Sequence, residues 1–267
     1  MGIDYTDRHI LWSITWRDAE EYARKNTIVI IPIGSLEAHA WHLPMGTDTF
    51  CAFKVALDAA RETDSLVTPP VWMGWSIQHS LFPGTITIRP EVLIELVVDI
   101  CKSLSRNGFR IFILLNGHRI TNNPWIQLAA VKAREETGAV VIPVDIAYLA
   151  REAYSRLEFG KLGHADEAET SHILYIYPEL VDMSKAFEKY ISTEELYDPD
   201  PRSTKDTILY IPSSPEVNYS RKDITGGGSG NPRAASIDKG RELHEHTVRR
   251  LVQLINMLKE KGAKQEL

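Results

Sequence analysis

The chain reads Thr27-Ile28-Val29-Ile30-Ile31-Pro32-Ile33-Gly34-Ser35-Leu36-Glu37-Ala38-His39-Ala40-Trp41-His42-Leu43-Pro44-Met45-Gly46-Thr47-Asp48 from residue 27 to residue 48. Its opening apolar run is typical of a buried β-strand. Glu37 and His39 come after this run and point to the same side in an extended chain. Asp48 can fold back across the turn at 44–46 to meet them. Carboxylate and imidazole donors together suit a divalent metal such as zinc or manganese. The alternative is a polar surface loop.

A second apolar run also leads directly into a candidate metal ligand. Residues 111–115 are all apolar, and Asn116-Gly117-His118 follows them. Open parallel sheets place their ligand sites just beyond the carboxyl ends of the strands. We therefore expect Glu37, His39 and His118 to meet at one edge of a sheet.

A third block, at residues 163–171, contains His164 and Glu169 at the start of a helix-like segment. Acidic residues are favoured at a helix N-terminus by the helix dipole. That explanation accounts for Asp166 and Glu167 but not for His164. His164 therefore joins the candidate site, and Glu169 lies about a turn and a half after it.

Strand-like and helix-like segments alternate along the chain. Strands are predicted at 27–33, 66–72, 109–115 and 139–144, a half-exposed strand at 82–88, and helices near 49–62, 90–106, 124–136 and 235–261. This alternation predicts an α/β fold, a three-layer αβα arrangement around a mostly parallel sheet, in one domain over 1–267. Residues 192–230 interrupt it and are predicted to be a lid or oligomerisation loop, in which the glycine-rich residues 226–230 are expected to form a flexible hinge.

The composition restricts the class of protein. The 267 residues carry a net charge of −6 without a basic stripe, which argues against nucleic-acid binding. Cys51 and Cys101 are expected to be buried free thiols of a reducing compartment. The N-terminus has no apolar signal core, and no run approaches membrane-spanning length. The sequence therefore predicts a cytoplasmic protein without a membrane partner.

Taken together, these blocks resemble the motifs of the creatininase family, binuclear-metal amidohydrolases that include creatinine hydrolases. Residues 34–48 match Gly-Ser-x-Glu-x-His-Gly-x-His-Leu-Pro-x-x-Thr-Asp except at Ala40. Residues 74–85 resemble Gly-x-Ser-x-x-His-x-x-Phe-Pro-Gly-Thr, and residues 230–240 resemble Gly-Asp-Pro-x-x-Ala-x-x-x-Lys-Gly. The blocks occur in family order, so the resemblance spans nearly the whole chain and implies a creatininase-like fold.

The resemblance also implies roles for individual residues. Two divalent ions, zinc or else manganese, would activate water and polarise a carbonyl; the implied ligands are Glu37, His39, Asp48, His118 and Glu169, with Asp48 as the bridge. His164 is implied in proton transfer to the leaving group. Ser76 and His79 would bind a small-molecule substrate, and Trp75 either walls the pocket or packs in the core. Family members commonly form hexamers, so we expect a homo-oligomer.

Departures from the family pattern bear on the substrate. Creatinine hydrolases place a glutamate two residues after the histidine that corresponds to His118, and Ile120 stands there in this chain. Creatinine itself is therefore not the expected substrate. Arg119 offers a planar donor fork to an anionic or oxygen-rich substrate, or else forms a salt bridge with a neighbouring carboxylate.

Three classes of function follow. The leading one is metal-dependent hydrolysis of a C–N bond in a small cyclic amide. The second is hydrolysis of a C–C bond in a cyclic diketone, an activity also assigned to creatininase-like proteins of inositol breakdown. The third, a non-catalytic or nucleotide-binding α/β module, is disfavoured because no Gly-x-Gly-x-x-Gly follows the first strand.

Overall fold

Four parallel strands form the central sheet in a computed structural model that describes residues 6–190, 198, 200–203 and 214–263. The strands are β1 (Ile28–Ile33), β2 (Leu66–Val67), β3 (Ile111–Asn116) and β4 (Val140–Asp145), in the spatial order β2–β1–β3–β4. Ile33 lies opposite Asn116, which in turn lies opposite Asp145. The carboxyl ends of β1, β3 and β4 are therefore level at one edge of the sheet.

Helices connect and cover the strands. They are α1 (Trp16–Lys25), α2 (Thr47–Thr63), α3 (Pro90–Arg106), α4 (Arg119–Thr137), α5 (Ile146–Leu149), α6 (Arg151–Arg156), α7 (Glu167–Ile176), α8 (Pro215–Ser220), α9 (Lys222–Thr225) and α10 (Ile237–Ala263). No helix in the described ranges combines the length and the apolar character needed to cross a membrane.

The two faces of the sheet pack against different helices because alternate strand residues point in opposite directions. Val29 and Ile31 of β1 belong to a buried cluster with residues of α3 and α4. Ile28 and Ile30 belong to a second cluster with residues of α2 and α10. This arrangement confirms the predicted three-layer αβα fold. Burial on both faces also explains why β1 and β3 read as nearly continuous apolar runs.

Two predicted strands are only partly formed. The strand predicted at 66–72 pairs with β1 over Leu66–Val67 and again at Val71, which bridges Ile33, and it is interrupted at Pro69 and Pro70, which have no N–H group to donate. The strand predicted at 82–88 is reduced to a single antiparallel bridge between Leu36 and Ile86. Its alternation of apolar and polar residues reflects an extended loop rather than a paired strand.

Helix boundaries near the site also differ from the prediction. Helix α4 begins at Arg119, so Pro124 lies inside it rather than at its start. Proline is common at the first helical position, which explains the misplaced boundary. Helix α1 lies outside the predicted elements, although Thr15 and Asp18 form a capping box at its start.

The segment at 192–230 is only partly described. Residues 192–197, 199 and 204–213 lie outside the described residues. The part from 214 onwards contains α8 and α9, so the prediction of an irregular loop is wrong there. The lid or oligomerisation role of this segment stays a prediction. Cys51 and Cys101 are buried free thiols, as predicted.

Candidate metal centre

The carboxyl edge of the sheet collects the predicted metal ligands. Glu37 and His39 lie in the loop after β1, Asp48 lies in the first turn of α2, and His118 directly precedes α4. Gly117 allows the close approach of α2 to the end of β3, because a Cβ atom at this position would lie 2.2 Å from the backbone oxygen of Asp48. The backbone itself thus brings the carboxylate to the imidazole.

Asp48 lies between two imidazoles. His39 donates from Nδ1 to the backbone oxygen of Glu37 (3.1 Å), which directs its Nε2 to Asp48 Oδ1 at 3.2 Å. On the other side, His118 Nδ1 lies 3.0 Å from Asp48 Oδ2. All three side chains are at least nine-tenths buried.

These contacts shift the pKa values of the cluster. Burial alone would lower the pKa of both imidazoles, but the adjacent carboxylates outweigh it and raise the pKa of His39 to about 10 and that of His118 to about 9. The pKa of Asp48 is lowered in spite of its burial, since His39 and His118 stabilise the carboxylate. The carboxylates of the site thus stabilise positive charge on the imidazoles that they contact.

The two carboxylate oxygens of Glu37 face different groups. Oε2 accepts a hydrogen bond from Ser35 Oγ (3.1 Å) and lies 3.4 Å from His118 Nε2. Oε1 lies 3.9 Å from His79 Nε2 and 3.7 Å from His164 Nδ1. Among the described residues, Oε1 has no hydrogen-bond partner although it is fully buried. A buried carboxylate oxygen without a donor is costly and is suited to a cation.

Glu169 approaches the cluster from α7. Its Oε2 accepts a hydrogen bond from the Ala165 backbone N–H (2.6 Å) and lies 3.9 Å from His39 Nε2. Burial raises the pKa of Glu169 to about 8. Asp166 caps the start of the same helix by accepting from the backbone N–H groups of Ala168 and Glu169. The cap fixes the first turn of α7, from which Glu169 projects.

His164 lies in the middle of the cluster with a defined tautomer. Its Nε2 is 2.7 Å from the backbone oxygen of Ala38, and a carbonyl oxygen can only accept, so Nε2 carries the proton. The lone pair of Nδ1 then faces Glu37. The imidazole ring lies 4.4 Å, centroid to centroid, from the rings of both His39 and His79. Burial, together with the charge on His39, lowers the pKa of His164 to about 3.

Three overlapping groups of these side chains have the spacing of a metal site. In each group the candidate ligand atoms lie within 4.8 Å of one another; the groups are Glu37, His39 and Asp48; His39, His164 and Glu169; and Glu37, His79 and His164. Together with the unpartnered Oε1 of Glu37, this donor set fits divalent metal ions that accept mixed nitrogen and oxygen ligands.

A cavity of about 440 Å³ opens over the donor cluster. Three of the four predicted substrate-binding residues, Trp75, His79 and Arg119, are in its wall. Trp75 also packs against the core, so this side chain has both of the positions considered for it, in the cavity wall and against the core. Ser76 is the exception, since its fully buried hydroxyl contacts Ser35 Oγ. The prediction that Ser76 lines the pocket is wrong, because Ser76 supports Ser35, which in turn bonds Glu37.

Arg119 is held at the cavity wall by its neighbours. Its Nε lies 3.5 Å from Asp145 Oδ2, and its guanidinium lies 4.7 Å from the centroid of the Tyr148 ring. Asp145 also accepts a hydrogen bond from Asn123 Nδ2 (2.9 Å). The predicted salt bridge to a neighbouring carboxylate is therefore present, while the side chain still contributes to the wall.

Two histidines near the ligand blocks are structural. His42 Nε2 bonds with Thr170 Oγ1 (2.9 Å), and His172 Nε2 bonds with His244 Nδ1 (2.9 Å). Burial lowers the pKa of His42 to about 4, so it is neutral. Neither belongs to any of the three ligand groups found among the described residues.

Several cavity residues carry no local sequence signal. Tyr154, Lys161, Tyr190 and Asn218 all line the cavity, but they come from separate segments without a motif. The glycine-rich residues 226–230 were expected to be a flexible hinge, and this expectation is wrong. Ser229 exchanges two backbone hydrogen bonds with His164, 2.7 and 3.0 Å long, and thereby fixes the backbone that carries the imidazole.

Metal binding at pH 7 is expected to release about three protons per chain. His39, His118 and Glu169 have pKa values of about 10, 9 and 8, so all three are protonated at pH 7 in the metal-free protein, whereas metal coordination requires neutral imidazole and ionised carboxylate. The metal affinity should rise with pH and the proton release should vanish above about pH 10. Calorimetric zinc titrations in buffers of different ionisation enthalpy measure this number. A titration at pH 7 without proton release would contradict these three pKa shifts.

Comparison with known proteins places this arrangement in a family. A family model described as creatininase, creatinine amidohydrolase, matches residues 12–255. The chain is 29% identical over 182 residues to the 3-dehydro-scyllo-inosose hydrolase of Thermotoga maritima. The aligned residues make up 66% of this chain and 58% of that protein, so the chain spans less than two thirds of that protein's length. It is 27% identical over 203 residues to the creatinine amidohydrolase of Pseudomonas putida, covering 69% and 78%.

A peptidase and a solved structure are also similar to this chain. The mycofactocin precursor peptide peptidase of Mycolicibacterium smegmatis is 32% identical over 158 residues, which are 57% of this chain and 59% of that protein. A crystal structure of creatinine amidohydrolase superimposes with a TM-score of 0.79 at 26% identity, covering 93% of this chain and 97% of that one. The chain therefore belongs to the creatininase family of hydrolases.

Proposed function

We propose that the protein is a metal-dependent hydrolase that cleaves a C–N bond in a small cyclic amide. One observation carries this proposal. The five predicted ligands, contributed by four separate elements, converge under a cavity of about 440 Å³; four of them are buried, and the Glu169 side chain is 30% exposed. A cavity of this size accommodates a small molecule.

Two divalent ions per chain, zinc or else manganese, are proposed as the cofactor. Glu37, His39, Asp48, His118 and Glu169 would hold them, with Asp48 between the two imidazoles. When bound, such ions activate water and polarise a carbonyl group. Solved creatininase structures described as Zn–Zn type and as Mn, both 25% identical to this chain, support these two metals.

His164 is proposed to transfer the proton. Its Nδ1 faces Glu37 and accepts a proton, while Nε2 stays bonded to Ala38 and holds the ring in place. The proton can then pass from Nδ1 to the leaving nitrogen. Burial and the charge on His39 lower the pKa of His164 and keep Nδ1 unprotonated at neutral pH, so this nitrogen is available to accept a proton.

Creatinine is not the proposed substrate. Ile120, which is apolar, and Arg119 both contribute to the cavity wall. Hydrogen-bond donors of an arginine suit an oxygen-rich or anionic group on the substrate. This combination favours a cyclic amide or ureide that carries further carbonyl or carboxylate groups.

Hydrolysis of a C–C bond is the second candidate. It is favoured by the similarity to a protein named 3-dehydro-scyllo-inosose hydrolase, at 29% identity. Attack on a carbonyl carbon begins both reactions, and they differ in whether nitrogen or carbon leaves. The donor cluster serves either reaction.

A substrate panel tests the proposal. Metal-replete protein would be incubated with lactams, cyclic ureides, cyclic diketones and a short peptide, and products would be identified by mass spectrometry. Turnover of the amides alone supports the leading function, and turnover of the diketones alone supports the second. Protein stripped of metal by a chelator provides the background, and activity that survives stripping would contradict metal dependence.

The protein is also proposed to form a homo-oligomer, with a hexamer favoured. Light scattering at micromolar concentration should then give a mass close to six times the 30.2 kDa of one chain. A mass of one chain under these conditions would remove the proposal.

A further inference from the structure

We propose that Glu37, His79 and His164 form an additional cation site, which takes a nitrogen-preferring divalent ion such as zinc and holds His164 when filled. The five-ligand centre consists of the proposed cofactor ligands Glu37, His39, Asp48, His118 and Glu169. The additional site has different nitrogen donors and shares only Glu37 with that centre.

The division of the Glu37 carboxylate supports the additional site. Oε2 is bonded by Ser35 and faces His118, whereas Oε1 lies 3.9 Å from an imidazole nitrogen of His79 and 3.7 Å from one of His164. Among the described residues no donor bonds Oε1, although this atom is buried. A carboxylate can bind one ion through each oxygen, and here each oxygen has its own set of nitrogen neighbours.

The spacing of the three ligand atoms fits one ion. Oε1 lies 3.9 Å from His79 Nε2 and 3.7 Å from His164 Nδ1, and the group lies within 4.8 Å overall. Ligand atoms about 2.1 Å from a common ion lie roughly 3–4 Å apart.

The orientation of the His164 ring is also that of a ligand. Histidines that bind a metal usually donate their other ring N–H to a carbonyl or carboxylate, and His164 donates from Nε2 to Ala38. The ring of His79 stacks on that of His164 at an interplanar angle of 25°, and its Nε2 lies 3.9 Å from Glu37 Oε1. Phe82 packs beside His79 at 5.8 Å and restricts its motion.

The donor set predicts which metal binds. Two imidazoles and one carboxylate favour zinc, nickel or copper, whereas manganese and magnesium prefer oxygen-rich sites. Because Glu37 is shared with the five-ligand centre, ions at the two places repel each other. The additional site should therefore bind more weakly and fill last.

Filling the additional site should inhibit the enzyme. An ion bound to Nδ1 of His164 takes the lone pair that proton transfer requires. Excess zinc should then inhibit, while excess manganese should not. This consequence rests on the proposed function, but the existence of the site does not.

The test counts bound ions. Metal-stripped protein would be dialysed against rising zinc concentrations, and bound zinc would be measured by elemental analysis. The wild type should bind one ion more per chain than His79→Phe, which keeps a buried ring without nitrogen. His246→Phe is the matched control, because it removes an imidazole remote from Glu37 and should leave the count unchanged. With manganese, the wild type and His79→Phe should bind equal amounts.

Equal zinc counts and affinities in the wild type and in folded His79→Phe would overturn the site. If His79→Phe does not fold, zinc-soaked crystals of the wild type decide through anomalous scattering. A peak bonded to His79 Nε2 and His164 Nδ1 supports the proposal, and no peak there at saturating zinc overturns it. These readouts need no substrate, so failure of the proposed function would show separately in the substrate panel.

Discussion

Replacing Asp48 with asparagine should abolish hydrolysis and lower the metal affinity by more than about 100-fold. Substitution of residues that hydrogen-bond to metal ligands already lowers the metal affinity by about 10–100-fold. Asp48 contacts His39 at 3.2 Å and His118 at 3.0 Å, so its charge acts on both halves of the centre. An asparagine keeps the shape but not the charge, and equilibrium dialysis with elemental analysis measures the loss.

The matched control for this substitution lies on the same helix. Asp58→Asn makes the same chemical change on α2, where Asp58 bonds His244 rather than a predicted ligand. It should retain the wild-type metal content. Thermal melting of the metal-free variants checks that both fold. Full metal content in Asp48→Asn would exclude Asp48 as a ligand.

Alanine at His164 and alanine at Glu169 should impair the enzyme in different ways. His164→Ala should lose roughly 10²–10⁴-fold in kcat, the usual range for general acid–base catalysis, while the five-ligand centre keeps its ions. Glu169→Ala should instead lower the occupancy of the ion near His39, since Glu169 Oε2 lies 3.9 Å from His39 Nε2. Its activity should partly return when excess manganese is added.

Parallel measurements of metal content and kcat separate the two roles. Both residues lie at the start of α7, so a folding defect would affect them alike. Equal metal content and equal residual activity in the two variants would contradict the division of roles. Full activity in His164→Ala would exclude His164 from proton transfer.

The elements that position the ligands could be predicted because their signals are local. Apolar runs at β1 and β3 identify buried parallel strands, and polar side chains directly after such strands must meet at the carboxyl edge. Convergence of Glu37, His39 and His118 followed from this rule. The position of Glu169 was harder to predict from the sequence, because it depends on how α7 packs.

Other features could not be predicted because they depend on long-range packing. Pro124 resembles a helix start, but His118 precedes the actual first turn of α4. Ser76 matched a family motif, yet its rotation towards Ser35 is set by the buried surroundings of Glu37. Most of the cavity wall comes from residues far apart in the chain, which no periodic pattern connects.

The predicted ligands and part of the cavity wall come from different segments of the chain, and this has a practical consequence for directed evolution. Tyr190 and Asn218 line the cavity but belong to segments that carry none of the five predicted ligands. Asn218 contacts another lining residue by donating to the backbone oxygen of Gln78 (2.9 Å). Libraries at these two positions can change the shape of the cavity while the sheet edge and its charges stay in place, which makes them the starting points for selecting a new substrate preference.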